Sequence, residues 1–194
     1  MDSLPQDAVL LIIDVQKGMD DPHYGSRNNP QAEDHMARLL AAWRASGRPV
    51  FHVQHMSTEP DSPLRPDQPG NAIKDAVRPL DGEPLFQKSV NSAFIGTDLE
   101  DRLRSAGYDT LVIVGLTTQH CVSTTARMAG NLGFKTYLAA DATAAFDSTG
   151  YDGKHYSAEE VHQISLATLH GEFATVVETG EVLEAVSRQQ SAKG

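Results

Sequence analysis

The sequence predicts an α/β fold, a Rossmann-like three-layer α/β/α sandwich built on a mainly parallel six-stranded sheet. Short apolar runs recur along the chain, and amphipathic segments with helix-capping signals separate them. Strands and helices that alternate in this way connect through right-handed crossovers, which give a parallel sheet covered by helices. With 194 residues, 40% of them hydrophobic, the chain can form one domain with a substantial core. We predict a single domain over residues 1–186 and a flexible tail at 187–194.

Six apolar runs are the candidate strands. The first, "AVLLIID", is nearly all apolar, as expected for a strand that is covered on both faces of a parallel sheet. Most of the others are rich in β-branched residues, and "PLFQK" is the weakest candidate. In chain order the predicted strands cover residues 8–14, 48–54, 84–88, 110–115, 135–140 and 174–178.

Four amphipathic segments are the candidate helices. The first has acidic residues early and Gly47 as its C-cap. Thr97 with Glu100, and Ser157 with Glu160, have the spacing of a capping box. In chain order the predicted helices cover residues 30–47, 97–107, 121–133 and 157–173.

Two long irregular segments, 18–30 and 55–83, interrupt the alternation of strand and helix. Loops of this length inside a compact domain usually serve as lids or binding loops. We therefore expect both segments to lie near a ligand.

The composition argues against several kinds of partner. A formal charge of −10 leaves no basic stripe for nucleic acid or for an anionic membrane surface. The single cysteine cannot form an internal disulfide. The N-terminal stretch "MDSLPQDAVLLIID" lacks the basic segment and long apolar core of a signal peptide, and its apolar run is too short to span a membrane. We expect a cytoplasmic protein.

Chemically useful side chains follow three of the predicted strands. In an open α/β sheet, ligands bind beyond the carboxyl ends of the strands. Asp14 follows the first run, Lys88 ends the weak run, and Cys121 lies in "GLTTQHC", directly after "TLVIV". Each alone has an ordinary alternative: a turn cap, a solvated lysine and an inert packed thiol, respectively. Their arrival at one edge of the sheet favours a shared site.

The three side chains suit nucleophilic catalysis. The thiolate is the reactive form of cysteine, and a lysine cation or a helix N-terminus near Cys121 would favour it. Asp14 could take the thiol proton and return it to a leaving group. Backbone N–H groups of the "TTQHC" turn could hold an oxyanion, and Gly115 would let the chain turn sharply after the strand.

These residues lie in segments that resemble the isochorismatase-like cysteine hydrolases, a superfamily that includes nicotinamidases and N-carbamoylsarcosine amidase. The matching segments appear in family order and cover nearly the whole chain. The pattern D…K…G-x-x-T-x-x-C-V is far more specific than any one residue. The segments are "LLIIDVQKGM", "FQKSVNSAFIGTDLEDRLRSAG", "DTLVIVGLTTQHCVSTTARMAGNLGFKTYLAADATAAF" and "HQISLATLHGEFATVV".

The resemblance implies an Asp14–Lys88–Cys121 triad that cleaves an amide-type C–N bond of a small molecule through a thioester intermediate. It further implies a cis peptide bond between Leu116 and Thr117. The backbone N–H groups of Thr117 and Cys121 would then form the oxyanion hole. It also implies an assembly that is a homodimer or homotetramer, and we expect no cofactor.

The chain departs from the resemblance at the metal site. Nicotinamidases of this superfamily place an Asp-x-His motif and further histidines after the second strand to hold a divalent metal. Here "VFHVQHMSTEPDSPLRP" offers His52 and His55 with no aspartate at the required spacing. A pair of histidines without a carboxylate partner is a weak metal signal. We expect no metal, and nicotinamide becomes a less favoured substrate.

Five residues are candidates for substrate contact. Asn91 and Phe94 follow Lys88 closely and could line the mouth of the pocket, although core burial explains Phe94 slightly better. Tyr24 and Arg27 could close over the substrate from the early loop, where Arg27 would suit a carboxylate or simply be a surface residue. Gln54 or the adjacent histidine could bond a polar substrate group. Gln119 and His120 flank the nucleophile and could point either way.

Three other functions stay open. Some relatives cleave a vinyl ether without a cysteine nucleophile, but this chain has the cysteine, which favours amide hydrolysis. A receiver-like signalling domain also places Asp and Lys at strand ends, but it would want an aspartate where "GLTTQHC" stands. The third alternative is an idle small-molecule-binding homologue, against which the complete triad argues.

Overall fold

A six-stranded parallel sheet forms the centre of the molecule, in the order β3-β2-β1-β4-β5-β8. The computed structural model describes residues 4–191, and the side chains of residues 4–188. A short antiparallel hairpin of β6 and β7 lies apart from the sheet. In chain order the strands are β1 (Val9–Ile13), β2 (Val50–His55), β3 (Leu85–Lys88), β4 (Thr110–Leu116), β5 (Lys135–Ala144), β6 (Ser148–Thr149), β7 (His155–Tyr156) and β8 (Thr175–Val177).

Helices pack on both faces of this sheet, which confirms the predicted α/β fold class. One cluster of buried side chains joins α1 and α5 to one face, and a second joins α2, α3 and α4 to the other. Strand β1 contributes alternate residues to the two clusters and is buried along its whole length. Within residues 4–191, the helices are all too short or too polar to cross a bilayer. They are α1 (Ala32–Ala45), α2 (Leu99–Ser105), α3 (Ser123–Asn131), α4 (Ala158–Ala167) and α5 (Thr179–Ser191).

One of the two predicted capping boxes is present and the other is wrong. At the start of α4, the Ser157 hydroxyl accepts from the Glu160 N–H, and the Glu160 carboxylate accepts from the Ser157 N–H. At the start of α2, the Thr97 hydroxyl instead donates to the Ala93 carbonyl at 2.6 Å. Glu100 is drawn along its own helix to Arg104, so the second box does not close.

The sequence patterns do not predict two of the observed elements, α5 and the β6–β7 hairpin. Helix α5 buries Val182, Ala185 and Val186, whose spacing is helical but whose segment is otherwise polar. It continues to Ser191 and so enters the predicted tail, of which residues 192–194 lie outside the described part of the chain. The β6–β7 hairpin has strands of two residues each, too short to leave a period-2 pattern.

The order of the strands fixes where a ligand site can form. From β1 the chain moves outward to β2 and β3, then returns to place β4 on the other side of β1. The direction of strand addition therefore reverses between β1 and β4. Such a reversal leaves a crevice at the carboxyl ends of the strands, where ligands of open α/β sheets bind.

Strand β4 has no room for a side chain beside β1 at Gly115. This residue has φ +128°, and a Cβ atom placed on it would lie 2.1 Å from the Ile13 carbonyl oxygen. Because the obstacle is backbone, no side chain can move aside to relieve the overlap. A glycine is required at this point of the sheet.

We expect Gly115→Ala to lower the free energy of unfolding by about 2–3 kcal/mol, because it adds overpacking to backbone strain. The matched control is Gly107→Ala, at φ +73° with open space around the added methyl. Its left-handed backbone alone should cost about 1 kcal/mol. Urea denaturation of the two variants measures the difference, and equal losses would contradict the close approach.

Candidate active site

Asp14, Lys88 and Cys121 meet at the crevice between β1 and β4. The Nζ atom of Lys88 lies 2.6 Å from Oδ2 of Asp14 and 3.3 Å from Sγ of Cys121. The side chains of Asp14 and Lys88 are completely buried, and Cys121 is 8% exposed. The structure thus brings together the three residues that the strand-end argument selects.

Asp14 is the first residue after β1 and has a left-handed backbone with φ +52°. Aspartate is among the few residues other than glycine that adopt this conformation at moderate cost. Its N–H donates to the Val53 carbonyl at 3.0 Å, and its carbonyl accepts from the Gln16 N–H at 2.9 Å. Both sides of the bend are therefore fixed by backbone hydrogen bonds.

Cys121 lies on a π-helical turn, Thr118–Val122, that runs directly into α3. The Leu116–Thr117 peptide bond before the turn is cis, at the position that the resemblance implies. The Thr117 carbonyl accepts from the backbone N–H groups of His120 and Val122, which closes the turn. A π-helical turn is rare and is found frequently at functional sites.

A buried histidine fixes this turn from behind. His162 of α4 is 2% exposed, and its Nδ1 lies 2.9 Å from Oγ1 of Thr118. This hydrogen bond joins the π-helical turn that carries Cys121 to α4, a helix that does not follow any of the strand ends at the site.

Lys88 has a third neighbour. Its Nζ lies 3.1 Å from Nδ1 of His55, which faces Lys88 across the paired ends of β2 and β3. Burial and the adjacent ammonium lower the pKa of His55 to about 4, so its imidazole is neutral at physiological pH and can accept a hydrogen bond from Lys88. The ammonium is thus surrounded by a carboxylate, an imidazole and a sulfur.

The thiol of Cys121 is protonated in this arrangement, which corrects the expectation of a resting thiolate. Burial raises its pKa to about 12, and the Asp14 carboxylate adds to the rise. The Lys88 ammonium favours the thiolate, but Asp14 already neutralises that charge at 2.6 Å. The Lys88 ammonium, which the sequence predicts to stabilise the sulfur, binds the Asp14 carboxylate more closely than it binds Cys121.

Asp14 has an oxygen that is free to receive a proton. Its Oδ1 is buried and has no hydrogen-bond donor among the described residues. Burial raises the pKa of the Asp14 carboxyl, and the Lys88 ammonium works in the opposite direction. A carboxylate with a raised pKa beside a thiol can accept the proton of that thiol and later return it.

The same donors resemble a metal site in composition but hold an ammonium. One ligand atom each from Asp14, His55 and Cys121 lies within 4.8 Å of the others. Lys88 Nζ contacts all three, so a divalent cation would have to displace it. The other histidine of the strand, His52, is buried with its Nε2 2.8 Å from the Glu83 carboxylate, away from this group.

A pocket of about 480 Å³ opens above the three side chains. Tyr24 and Asn91 line it, as the sequence predicts, and Tyr24 stacks on Phe146 with ring centroids 5.2 Å apart. Gln119 and His120, whose direction the sequence leaves open, both face it. Its lining residues are Asp14, Met19, His23, Tyr24, His55, Leu64, Asn91, Thr117, Gln119, His120, Cys121, Phe146, Asp147 and Ser148.

Gln54, Phe94 and Arg27, also proposed to contact the substrate, have structural roles instead. Gln54 is buried and donates to the backbone carbonyl of Asn71, which holds the loop after β2 against the sheet. Phe94 packs into the core with its ring stacked on that of Phe134.

Arg27 is held by an acidic neighbour. It binds Glu33 through two hydrogen bonds, and its side chain is 16% exposed. The guanidinium is therefore committed to a carboxylate of this chain and does not line the pocket.

The sequence patterns missed the pocket wall that follows β5. The predicted strand ends at residue 140, but β5 continues to Ala144 across an irregularity in its pairing with β4. Phe146, Asp147 and Ser148 therefore lie beyond the carboxyl end of the strand, where the strand-end argument would have selected them. The sequence does not indicate this last part of β5, because the small residues of "AADATAA" show no alternation of apolar and polar side chains.

Comparison with known proteins shows the family of this chain. The model of the isochorismatase domain matches residues 8–181. The chain belongs to the isochorismatase family. It is 51% identical over 174 residues to the isochorismatase family protein YrdC of Bacillus subtilis, an alignment that covers 90% of this chain and 93% of that protein.

Two further relatives bear on the fold and the chemistry of this isochorismatase-family chain. A crystal structure of an isochorismatase-family protein from Chromobacterium violaceum superposes with a TM-score of 0.94 at 47% identity, over 97% of both chains. Nicotinamidase 3 of Arabidopsis thaliana is 29% identical over 184 residues, which cover 88% of this chain and 84% of that protein.

A thiol titration checks the protonation state. Because its pKa is raised, the Cys121 thiol should stay neutral beyond about pH 9, where an ordinary cysteine is largely ionised. The thiolate absorbance of the wild type minus that of Cys121→Ser isolates this group, since the chain has one cysteine. A difference signal that is complete below about pH 8 would show a stabilised thiolate and contradict the prediction.

Proposed function

We propose that this protein is a cysteine hydrolase that cleaves an amide-type C–N bond of a small molecule. The observation that carries the proposal is the position of Lys88 Nζ, 2.6 Å from Asp14 and 3.3 Å from Cys121 at the floor of a pocket. The pocket volume of about 480 Å³ suits a small ligand. The relationship to a nicotinamidase supports an amide substrate.

In the first half of the reaction, Cys121 Sγ attacks the amide carbonyl carbon while its proton moves to the free Oδ1 of Asp14. The carbonyl oxygen becomes an oxyanion, for which the backbone N–H groups of Thr117 and Cys121 are the proposed donors. When the intermediate collapses, the C–N bond breaks and Asp14 returns the proton to the leaving nitrogen. A thioester on Cys121 remains.

In the second half, a water molecule attacks the thioester carbon and gives a proton to Asp14. The C–S bond then breaks, the carboxylic acid leaves, and the sulfur recovers its proton from Asp14. Lys88 makes no covalent bond. Its charge keeps Asp14 ionised between proton transfers and stabilises negative charge on sulfur when the C–S bond forms or breaks.

Ammonia release from a panel of small primary amides tests this function. The wild type should release ammonia, and Cys121→Ala should not. Acid-quenched mass spectrometry should find one acyl adduct on the wild type and none on Cys121→Ala. Ammonia release that survives Cys121→Ala would contradict the nucleophile, and no turnover with no adduct on any amide would favour an idle homologue.

A charge-balanced double variant separates catalysis from folding. Asp14→Asn and Lys88→Met each leave one buried charge without its partner. Each should lower the free energy of unfolding by about 3–5 kcal/mol. Together they remove both charges, so the double variant should recover most of that stability and still lose hydrolysis by at least about 100-fold. The matched control is Asp98→Asn, an exposed carboxylate at the start of α2. A double variant that hydrolyses at the wild-type rate would exclude the proposed acid–base role.

We also propose the homodimer or homotetramer that the resemblance implies. In support, the large apolar side chains of Leu85, Val90 and Ile95 are exposed on the edge strand β3 and on the segment that follows it. Sedimentation equilibrium measures the assembly. A cytoplasmic location stays a prediction.

A further inference from the structure

Two smaller cavities border the catalytic pocket. A cavity of about 360 Å³ shares His23 with the pocket, and another of about 290 Å³ shares both His23 and Tyr24. Both are walled by residues 60–63 of the loop after β2, and Glu59 also lines the second. We call this pair of cavities the annex, and a ligand longer than a simple amide would extend into it.

The charges on these walls have one sign. Four carboxylates face the pocket mouth and the annex: Asp21, Glu59, Asp61 and Asp147. Of the described residues that line the three cavities, none is a lysine or an arginine. A negatively charged ligand would therefore find no fixed cation on these walls.

Nearby cations are committed elsewhere. Arg27 is bound to Glu33, and Lys74 is bound to both Glu33 and Asp20. Lys88, beneath the pocket floor, is neutralised by Asp14 at 2.6 Å. Recruiting any of them to a substrate carboxylate would break an ion pair within the chain.

The pocket also presents acceptors that have no donor. Oδ1 of the fully buried Asp14 and Oε1 of Gln119 are buried oxygens without a hydrogen-bond partner among the described residues, and both side chains line the pocket. A buried acceptor left unpaired is costly, so each favours a ligand that brings N–H groups. This observation is independent of the acidic walls, and it favours a ligand rich in hydrogen-bond donors, as an amide with an ammonium group is.

We propose that the substrate is a small amide that also bears a cationic group, such as an ammonium, and that amides bearing a carboxylate are disfavoured. The cation would lie against Asp147 and the annex while the amide carbonyl reaches Cys121. The inference rests on the proposed hydrolysis at Cys121 and adds the charge class of its substrate.

Alkylation of the single cysteine tests the charge preference without turnover. Iodoacetamide, iodoacetate and (2-bromoethyl)trimethylammonium are small reagents that are neutral, anionic and permanently cationic, respectively. Their rates at Cys121, each divided by the rate with the neutral thiol 2-mercaptoethanol at the same alkaline pH, report the potential of the pocket. Relative to iodoacetamide, we expect iodoacetate to be slowed and (2-bromoethyl)trimethylammonium accelerated, each by about tenfold or more.

Asp147→Asn should move the rates of both charged reagents, each taken as a ratio to the iodoacetamide rate of the same variant, towards the ratios found with free thiol by several-fold. Asparagine can still accept the Ser26 N–H at 2.9 Å, so the local turn is preserved. The matched control is Asp152→Asn, an exposed carboxylate in the β6–β7 turn that lines none of the three cavities. It should alter none of the ratios. Iodoacetate that reacts as fast as iodoacetamide, or faster, would overturn the inference.

Hydrolysis of three amides of similar size completes the test: β-alaninamide is cationic, propanamide is neutral and succinamate is anionic. We expect kcat/KM to fall in that order, by about tenfold between the first and the last. A succinamate rate that equals or exceeds the others would overturn the charge preference while leaving the proposed hydrolase intact. Failure on all three would count against the hydrolase, and the alkylation ratios would still decide the charge class.

Discussion

The buried ion pair between Asp14 and Lys88 is the constraint on which the rest of the site depends. Both side chains are completely removed from water, which costs several kcal/mol per charge before their attraction is counted. Their attraction at a separation of 2.6 Å offsets part of that cost. The sheet provides this separation by holding the ends of β1 and β3 on either side of β2, while the reversal of strand order brings Cys121 to the same crevice.

This pairing explains why the thiol rests in its neutral form. The carboxylate and the ammonium sum to zero, so ionising Cys121 would leave a net negative charge in a largely buried region. The pKa of about 12 expresses that penalty. During the proposed attack the proton moves to Asp14 as negative charge leaves the sulfur for the carbonyl oxygen. The stabilisation is then realised in the transition state and not in the resting protein, which is the condition for a faster chemical step.

The position of a residue at the end of a parallel strand could be predicted from the sequence. The hydrogen-bond and ion-pair partners of its side chain could not. The sequence predicts that Asp14 and Lys88 meet, because the ends of parallel strands converge whatever the conformation of the loops. It does not predict the roles of Arg27 and Gln54, because Glu33 and Asn71, which bind them, are brought near only by folding. It predicts a thiolate for the same reason, since the sequence shows a cation near the sulfur but not the depth of its burial. Where charge and burial compete, the outcome depends on distances of a few ångströms.

The charges at the mouth bear on how the proposed reaction ends. Amide hydrolysis converts a neutral group into a carboxylic acid, which ionises as it leaves the buried floor. The product then faces Asp147 and the carboxylates of the annex with no cation on the cavity walls to retain it. Like charges a few ångströms apart repel, and more so beside a low-dielectric wall. The same walls that attract a cationic amide would therefore repel the new carboxylate of its product, so hydrolysis weakens the attraction that brings the substrate in.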